Sequence, residues 1–412
     1  MRLLRLFADR NFALFWAGLT VSLLGDGVYF VAIAWQVYRL SNRPSALAVV
    51  GVAWTLPQLA SVLFAGVISD RFDRRRVMML ANAASALAIG TIAGLSFAGA
   101  LALWQLWILV AVYGVGVALF IPAAGAFVPE IVAAEFLVEA NVLRQFVRPL
   151  TMRLVGPALG GVLVAFVGLG TAFLFDALTF VFAFAMLLLV QPRHVERSSE
   201  GSASVAAEIA AGLRFIRSQS WLWISLLAAA SWLLIYVGPL EVLIPFLVKN
   251  RIGGDSRALG FVFASGGLGA MLCSFLVGQR GLPRRALVFM YTLWSGSMFA
   301  LATFALATSI WPAMISSFFI FGLLSTGEVA WQTLLQRRVP NELLGRVGSV
   351  DWFTSAALVP ISFVLTGPVA GAIGAKTTVL GAGILGGLLL AGLLFLPPIR
   401  EPEGRELRPA PL

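Results

Sequence analysis

Apolar residues in this chain come in runs of about twenty or more, broken by short clusters of charge, Pro or Gly. They show neither the alternation of half-buried strands nor the single stripe of a surface helix. At 1.5 Å per residue, about 20 residues cross a ~30 Å hydrocarbon layer. The pattern predicts twelve spans, over residues 12–38, 45–68, 77–99, 104–128, 141–166, 171–190, 220–247, 257–279, 286–307, 311–336, 346–371 and 377–396. The sharpest break is the charged knot from Gly66 to Arg76, which contains Asp70, Arg71, Asp73, Arg74 and Arg75. Flanked by two spans, it has to sit at an interface, as a hinge between them.

The chain also repeats itself. Shifted by 211 residues, Gly116 to Pro129 recurs as Gly327 to Pro340, Gly156-Pro157-x-x-Gly160 as Gly367-Pro368-x-x-Gly371, and Arg74 as Arg285. The expected fold is an all-α membrane protein of two six-helix bundles in parallel repeat, an arrangement that places a substrate site between halves near the midplane. The expected divisions are 1–190 for the first bundle, 191–219 for a cytoplasmic linker, 220–396 for the second bundle and 397–412 for a cytoplasmic tail. Within the linker, Val205, Ile209, Leu213 and Ile216 recur at helical spacing and predict an amphipathic helix on the membrane surface. The second half keeps the basic residues Arg280, Arg284 and Arg285 but has no counterpart of Asp70.

Composition agrees with this reading. Of 412 residues 60% are hydrophobic and 12% charged, against about 25% charged in soluble domains, and the mean hydropathy is +0.94. A formal charge of +10 would suit nucleic acid if it were clustered on a folded face, but here it falls in short loops. With the N-terminus inside, twenty of the 29 basic residues lie on the cytoplasmic side, six lie outside, and Arg144, Arg148 and Arg153 stay in span 5. The positive-inside rule then places both termini in the cytoplasm. Hydrophobicity runs past Asp26 to Trp35 without a small-residue cleavage site, so the start of the chain reads as a span and not a signal peptide. Asp9-Arg10-Asn11 supplies its N-cap. Cys273 and His194 are each single, so no disulfide, metal centre, cofactor or His-based chemistry is expected. Gly266-Gly267-Leu268-Gly269 lies inside a span and reads as helix packing, not a dinucleotide loop. An enzyme is disfavoured, and without a phosphate-binding loop any pump is a secondary one.

Charged groups within spans cost roughly 2.5–3.5 kcal/mol each at mid-depth, which makes each a functional candidate. Asp26, Arg153 and Glu328 fall near the midplane, and Asp176 and Glu241 nearer the outer side. A carboxyl group that loses water while an Arg approaches and retreats can act as a switchable proton carrier. The alternative is a permanent Asp26–Arg153 or Glu328–Arg153 bridge that only orients helices. Asp26 reads as functional and Asp176 as structural, with Glu241 and Glu328 open between the two. Arg144 and Arg148 read as snorkelling or gate residues. Aromatic residues such as Tyr29, Trp54 and Tyr113 are core or interfacial anchors, or line a cleft for a flat, apolar or cationic ligand.

Gly66-x-x-Ser69-Asp70-Arg71-x-x-Arg74-Arg75, between the second and third spans, resembles the loop signature of the major facilitator superfamily. The departure is Asp73, where that family usually has Gly, so an Asp tolerating the left-handed region is expected at the turn. Gly25-Asp26-Gly27, Pro122 to Glu130, Gly156-Pro157-Ala158-Leu159-Gly160-Gly161, Phe175-Asp176-Ala177 and Gly345-Arg346-Val347 resemble the branch of macrolide exporters, Tap-type multidrug pumps and the enterobactin exporter. The resemblance implies a gate of Gly66, Asp70, Arg71, Arg74, Arg75 and Glu130. In it Asp70 sits against span 11 near Gly345 to Gly348, and Arg74 pairs with Glu130. It also implies an antiport-type bend at Gly156, Pro157, Gly160 and Gly161. Met152 stands where that motif has a further Gly, and Val110 where many proton-coupled exporters carry a span 4 Arg, a place Arg153 is the candidate to fill.

The resulting expectation is a monomeric exporter in the inner membrane. It would move hydrophobic or amphipathic small molecules, drugs included, against protons, through Asp26, Glu241, Glu328 and Arg153. Its partners are the small-molecule substrate, protons and lipids, and not nucleic acid. The alternatives are a siderophore or lysophospholipid exporter of the same fold and, from another class, a non-transporting membrane sensor.

Overall fold

The computed structural model describes residues 6–132, 136, 139, 140, 143, 147–191 and 205–400, without the side chains of 62–71, 205–211 and 341–342. Among these residues every regular element is helical. The first is α1 (Arg10–Leu40), where Asp9 caps the start by accepting from the Asn11 and Phe12 amides at 2.9 and 3.2 Å. There follow α2 (Pro44–Arg71), α3 (Arg74–Phe97), α4 (Leu103–Ile131), α5 (Pro149–Phe166) and α6 (Leu169–Leu189). After the linker helix α7 (Val205–Ser218) come α8 (Ser220–Asn250), α9 (Ser256–Arg280), α10 (Ala286–Leu306) and α11 (Ile310–Arg338). The last are α12 (Asn341–Ala357), α13 (Val359–Ile373) and α14 (Ala375–Leu393). The α12–α13 break at Leu358 precedes Pro360, whose ring leaves the preceding carbonyls without an amide partner.

Eleven helical stretches among the described residues are long and apolar enough to cross a membrane, with α12 and α13 counted together from Leu343 to Ile373. The helix α2 adds 28 residues of helical backbone, with part of its side chains outside the described set. Two helices contain π-helical segments, Pro149–Val155 in α5 and Pro239–Leu243 in α8. Each begins at a Pro, which lacks the amide needed for a regular turn.

The helices pack in two groups. Within residues 10–189, α6 lies along both α1 and α3, and α4 along both α2 and α3. Within residues 220–393, α11 lies along α9 and α10, and α10 along α14. The groups meet chiefly where α5 runs against α9 and α2 against α13. Small residues permit this approach. A Cβ at Gly156 would lie 2.7 Å from the Gly27 Cα, and one at Gly160 would lie 2.9 Å from the Val28 Cα, so α5 rests on the backbone of α1. On the other face of α5, a Cβ at Gly161 would lie 2.6 Å from the Ser256 carbonyl, and one at Gly260 2.5 Å from the Pro157 carbonyl.

Side-chain hydrogen bonds reinforce this end of the molecule, hereafter the latched end. The Tyr38 hydroxyl donates to the Val242 carbonyl at 2.6 Å, Asn42 and Asn250 exchange amide bonds at 2.7 and 3.2 Å, and the Ser256 hydroxyl donates to the Gly161 carbonyl at 3.2 Å. Lys249 donates to the Tyr38 carbonyl. Asp255 caps α9 through the Ala258 amide and pairs with Arg257 at 2.6 Å. Burial works to raise its carboxyl, but these donors and the guanidinium charge outweigh it and hold the group below the usual carboxylate range.

At the opposite, terminus-bearing end, the turn before α3 corrects one expectation. Asp73 has φ −60° and ψ 116° and accepts from the Arg76 amide at 2.9 Å. It is an ordinary N-cap in extended backbone, with no left-handed residue required. The linker helix α7 packs on α12 where Gly212 faces the Arg346 side chain. Leu213, expected on its apolar face, is exposed, while Ile216 is buried. Residues 192–204 and 401–412 of the expected linker and tail lie outside the described residues.

Candidate functional site

Asp26 lies midway along α1, held between two glycines that let neighbouring helices close around it. Beside Gly27 runs the π-helical start of α5, and beside Gly25 the Asp176 carboxylate and Thr179 hydroxyl of α6. The Tyr113 hydroxyl of α4 donates to Asp26 Oδ1 at 2.6 Å, a short charge-assisted bond. Tyr113 in turn packs edge-on to Tyr29 and Phe180, with ring centroids 5.2 and 5.8 Å away. Arg148, one residue before α5, exerts its charge on the same carboxylate.

Asp176 is 0% exposed and close enough to Asp26 for the two charges to act on one another. The expected outward displacement of Asp176 from Asp26 is therefore corrected, because α6 crosses α1 at Gly25 and brings the second acid alongside. Thr179 donates to the Asp176 carbonyl at 2.7 Å and reaches Oδ1 at 3.4 Å, while Oδ2 has no hydrogen-bond partner among the described residues.

Arg153 does not bridge Asp26 or Glu328. Its guanidinium lies 4.9 Å from the centre of the Phe321 ring on α11, and its charge acts on Glu241 and Tyr236 of α8. Arg153 and Glu241 both occupy π-helical segments, one in each helix group. In α9, Gly267 lets that helix touch the Arg153 backbone, while Gly266 faces Phe321, so the glycine run serves close packing.

Two cavities meet at Asp26. A central pocket of about 100 Å³ between the groups is lined by Tyr29, Phe30, Trp54, Tyr113, Glu241 and Phe363, among others. A larger chamber of about 310 Å³, within residues 10–189, extends from Asp26 toward the terminus-bearing end past Asn82, Ser85 and Arg148. Glu328 lies apart from both linings. It accepts from Gln332 at 3.0 Å, and its charge reaches Asp351 of α12, which accepts from the Trp331 indole at 3.1 Å. Asp351 escaped the sequence reading although an acid within a span was its signal. Tyr113, an aromatic residue open between anchor and cleft wall in sequence, lines both cavities.

At the terminus-bearing end, Arg74 donates to Glu130 at 2.8 Å and to the Ala126 carbonyl at 2.9 Å, tying α3 to the end of α4. Arg75 donates to the Leu187 and Leu188 carbonyls at 2.7 and 2.6 Å, adding to the Val190 amide that Leu187 already accepts at the end of α6. The side chains of Asp70 and Arg71 and the surroundings of Gly66 lie outside the described residues.

The family model described as transmembrane secretion effector matches residues 4–410. An uncharacterized MFS-type transporter, YfiS of Bacillus subtilis (strain 168), is 28% identical over 400 residues, covering 94% of this chain and 93% of its own. The multidrug efflux pump Tap of Mycolicibacterium fortuitum is 29% identical over 394 residues, with 92% and 93% coverage. Macrolide efflux protein A of Streptococcus pyogenes is 24% identical over 410 residues, with 97% and 98% coverage. Among solved structures, a bacterial homologue of the iron transporter ferroportin in an inward-facing state superposes with a TM-score of 0.65 at 17% identity, covering 95% of this chain and 99% of that one. The nucleoside transporter NupG superposes with a TM-score of 0.66 at 11% identity, covering 92% and 98%. At these identities the structural likeness establishes the fold alone.

Proposed function

The chain belongs to the transmembrane secretion effector family of major facilitator transporters, and from that premise we propose that it exports hydrophobic or amphipathic small molecules in exchange for protons. The observation that carries this reading is Asp26, a carboxylate at mid-span bonded to Tyr113 and facing a pocket lined mainly by aromatic and apolar side chains. In this reading the two helix groups are six-helix bundles in parallel repeat, and the terminus-bearing end is cytoplasmic. The latched end closes the outside in the conformation described. The protein works as a monomer in the inner membrane. Arg74–Glu130 and Arg75 belong to the cytoplasmic gate, together with Gly66, Asp70 and Arg71, and Gly156 to Gly161 form the surface on which α5 parts from α9. Glu241, opposite Arg153 across the groups, serves as a second acid for substrate or proton. Glu328 assists with Asp351 from the second group.

A proton descending 100 mV gains about 2.3 kcal/mol, enough for a roughly 50-fold gradient of a neutral solute. Kinship with a multidrug pump and a macrolide efflux protein supports drug-like substrates. Efflux of ethidium from energised cells tests the reading, with wild type compared to Asp26→Asn, each with and without an uncoupler. Uncoupler-sensitive efflux that is lost in the variant is the expected result. Unchanged, uncoupler-sensitive efflux by Asp26→Asn would remove Asp26 from the coupling site.

A further inference from the structure

Asp26, Trp54, Tyr113 and Met152 form a wall shared by the two cavities. The sides of that wall differ in chemistry. Toward the central pocket stand Phe30, Leu47, Val50 and Phe363. Toward the chamber the polar Gln58, Asn82, Ser85 and Arg148 stand among apolar residues of α1 and α4 such as Phe15 and Phe120, and the chamber follows α1 from Asp26 back to Phe12, roughly 21 Å at 1.5 Å per residue. Asn82 is only 3% exposed, lines the chamber, and has a side-chain Nδ2 with no hydrogen-bond partner among the described residues. Ser85, also buried, reaches the chamber beside Gly116, where a Cβ would lie 2.8 Å from its hydroxyl. A volume of about 310 Å³ holds on the order of ten waters.

We infer that this chamber is a water-filled conduit through which the proton held by Asp26 leaves toward the terminus-bearing side, with Asn82 and Ser85 as its hydrogen-bonding wall, while substrate occupies the central pocket. The inference rests on the proton-antiport reading and adds that the two cargoes use separate routes. In the transfer the carboxyl O–H bond breaks as a new O–H bond forms on the adjacent water. The charge then moves along the water file with no change of oxidation state. The charged or titratable groups facing Asp26 are Tyr29 on its own helix, Tyr113 on α4, Arg148 before α5, Asp176 on α6 and Glu241 of α8 across the pocket. Asn82 carries no charge. It therefore offers a way to dry the route without altering the electrostatics of the carboxylate.

The test uses the purified full-length protein in detergent, with ethidium as substrate and a pH-indicator dye in weak buffer. Wild type is expected to release protons when ethidium binds. Asn82→Leu, of similar volume, should bind ethidium within twofold of wild type yet release protons at least tenfold more slowly, and Asn82→Ser should restore the rate to within threefold. Release at the wild-type rate from Asn82→Leu would overturn the inference, as would loss of ethidium affinity in step with release, which would make the chamber substrate space. If wild type binds ethidium without releasing protons, antiport itself fails and the conduit with it. A second measurement needs no substrate. In a Cys273→Ala background, Ser85→Cys should react with a small hydrophilic methanethiosulfonate within minutes, and resistance over hours would show the chamber to be dry.

Discussion

The contact between α5 and α9 can be broken with a single methyl group. In Gly260→Ala the new Cβ would lie 2.5 Å from the Pro157 carbonyl oxygen and 3.0 Å from the Gly161 Cα, where ordinary contact begins near 3.4 Å. Both obstacles are backbone, so relief requires the helices to part by about 0.9 Å, and overpacking of this kind costs about 1–3 kcal/mol. At 1.4 kcal/mol per decade, the ratio of latched to unlatched molecules should fall roughly 5- to 150-fold. Disulfide formation between Asn42→Cys and Asn250→Cys in a Cys273→Ala background reads this ratio, since the two amides hydrogen-bond across the latched end. Gly371→Ala is the control. Gly371 is the repeat counterpart of Gly160 but has nothing within 4 Å of an added Cβ, and Ala even favours the helix by up to about 1 kcal/mol. The reasoning is refuted if Gly260→Ala cross-links as fast as the control.

Other predictions follow from the two ends of the molecule and from the site. Arg74 and Glu130 are 22% and 16% exposed, between the surface and buried regimes, so Arg74→Gln should destabilise the protein by about 2 kcal/mol. Thermal unfolding of both singles and the double variant should give a coupling energy, and strict additivity would show the pair to be inert. Arg75→Ala removes two donors from the end of α6 and should cost about 1–2 kcal/mol, measurable as a lower Tm beside an unchanged Arg76→Ala. Tyr113→Phe keeps the ring packing but deletes the bond to Asp26, so ethidium efflux should drop about tenfold while expression stays level; equal efflux would deny the hydroxyl a role. Asp255 has a depressed carboxyl, so its contribution is present above the ordinary carboxylate range and lost as pH falls through its lower native value. The melting temperature should therefore fall in acid below about pH 4, and Asp255→Asn should remove that part of the pH dependence.

Much of the architecture was legible because long apolar runs and their charged breaks report directly on a slab of hydrocarbon. Asp9 was readable as a cap because that signal is local. The neighbourhood of Asp26 was less so. Asp176 is 150 residues away in sequence, and only the crossing of α1 and α6 at Gly25 decides that the two acids meet. That Arg153 faces Phe321 and Glu241 instead of bridging Asp26 or Glu328 was not legible either, for a physical reason. Each sits in a π-helical segment, where the wider turn rotates the following face away from a 3.6-residue wheel. Asp73 was read against a Gly-based turn, although an Asp two residues after the end of α2 makes an N-cap without any unusual dihedral angle.

The facing glycines of α5 also shape how this sequence can change over generations. Gly27 and Gly156 obstruct one another, as do Gly161 and Gly260, each lying within about 3.1 Å of where the other's Cβ would fall. A mutation at either member meets the same barrier, and a second mutation at its partner makes it worse instead of better. Such pairs cannot drift by compensation in the way a large and a small side chain exchange places in a core. Variation should instead gather on the walls of the pocket, where a change of shape alters which molecules fit and leaves the moving surfaces intact. A transporter built this way can acquire new cargo in single steps while its machinery stays fixed.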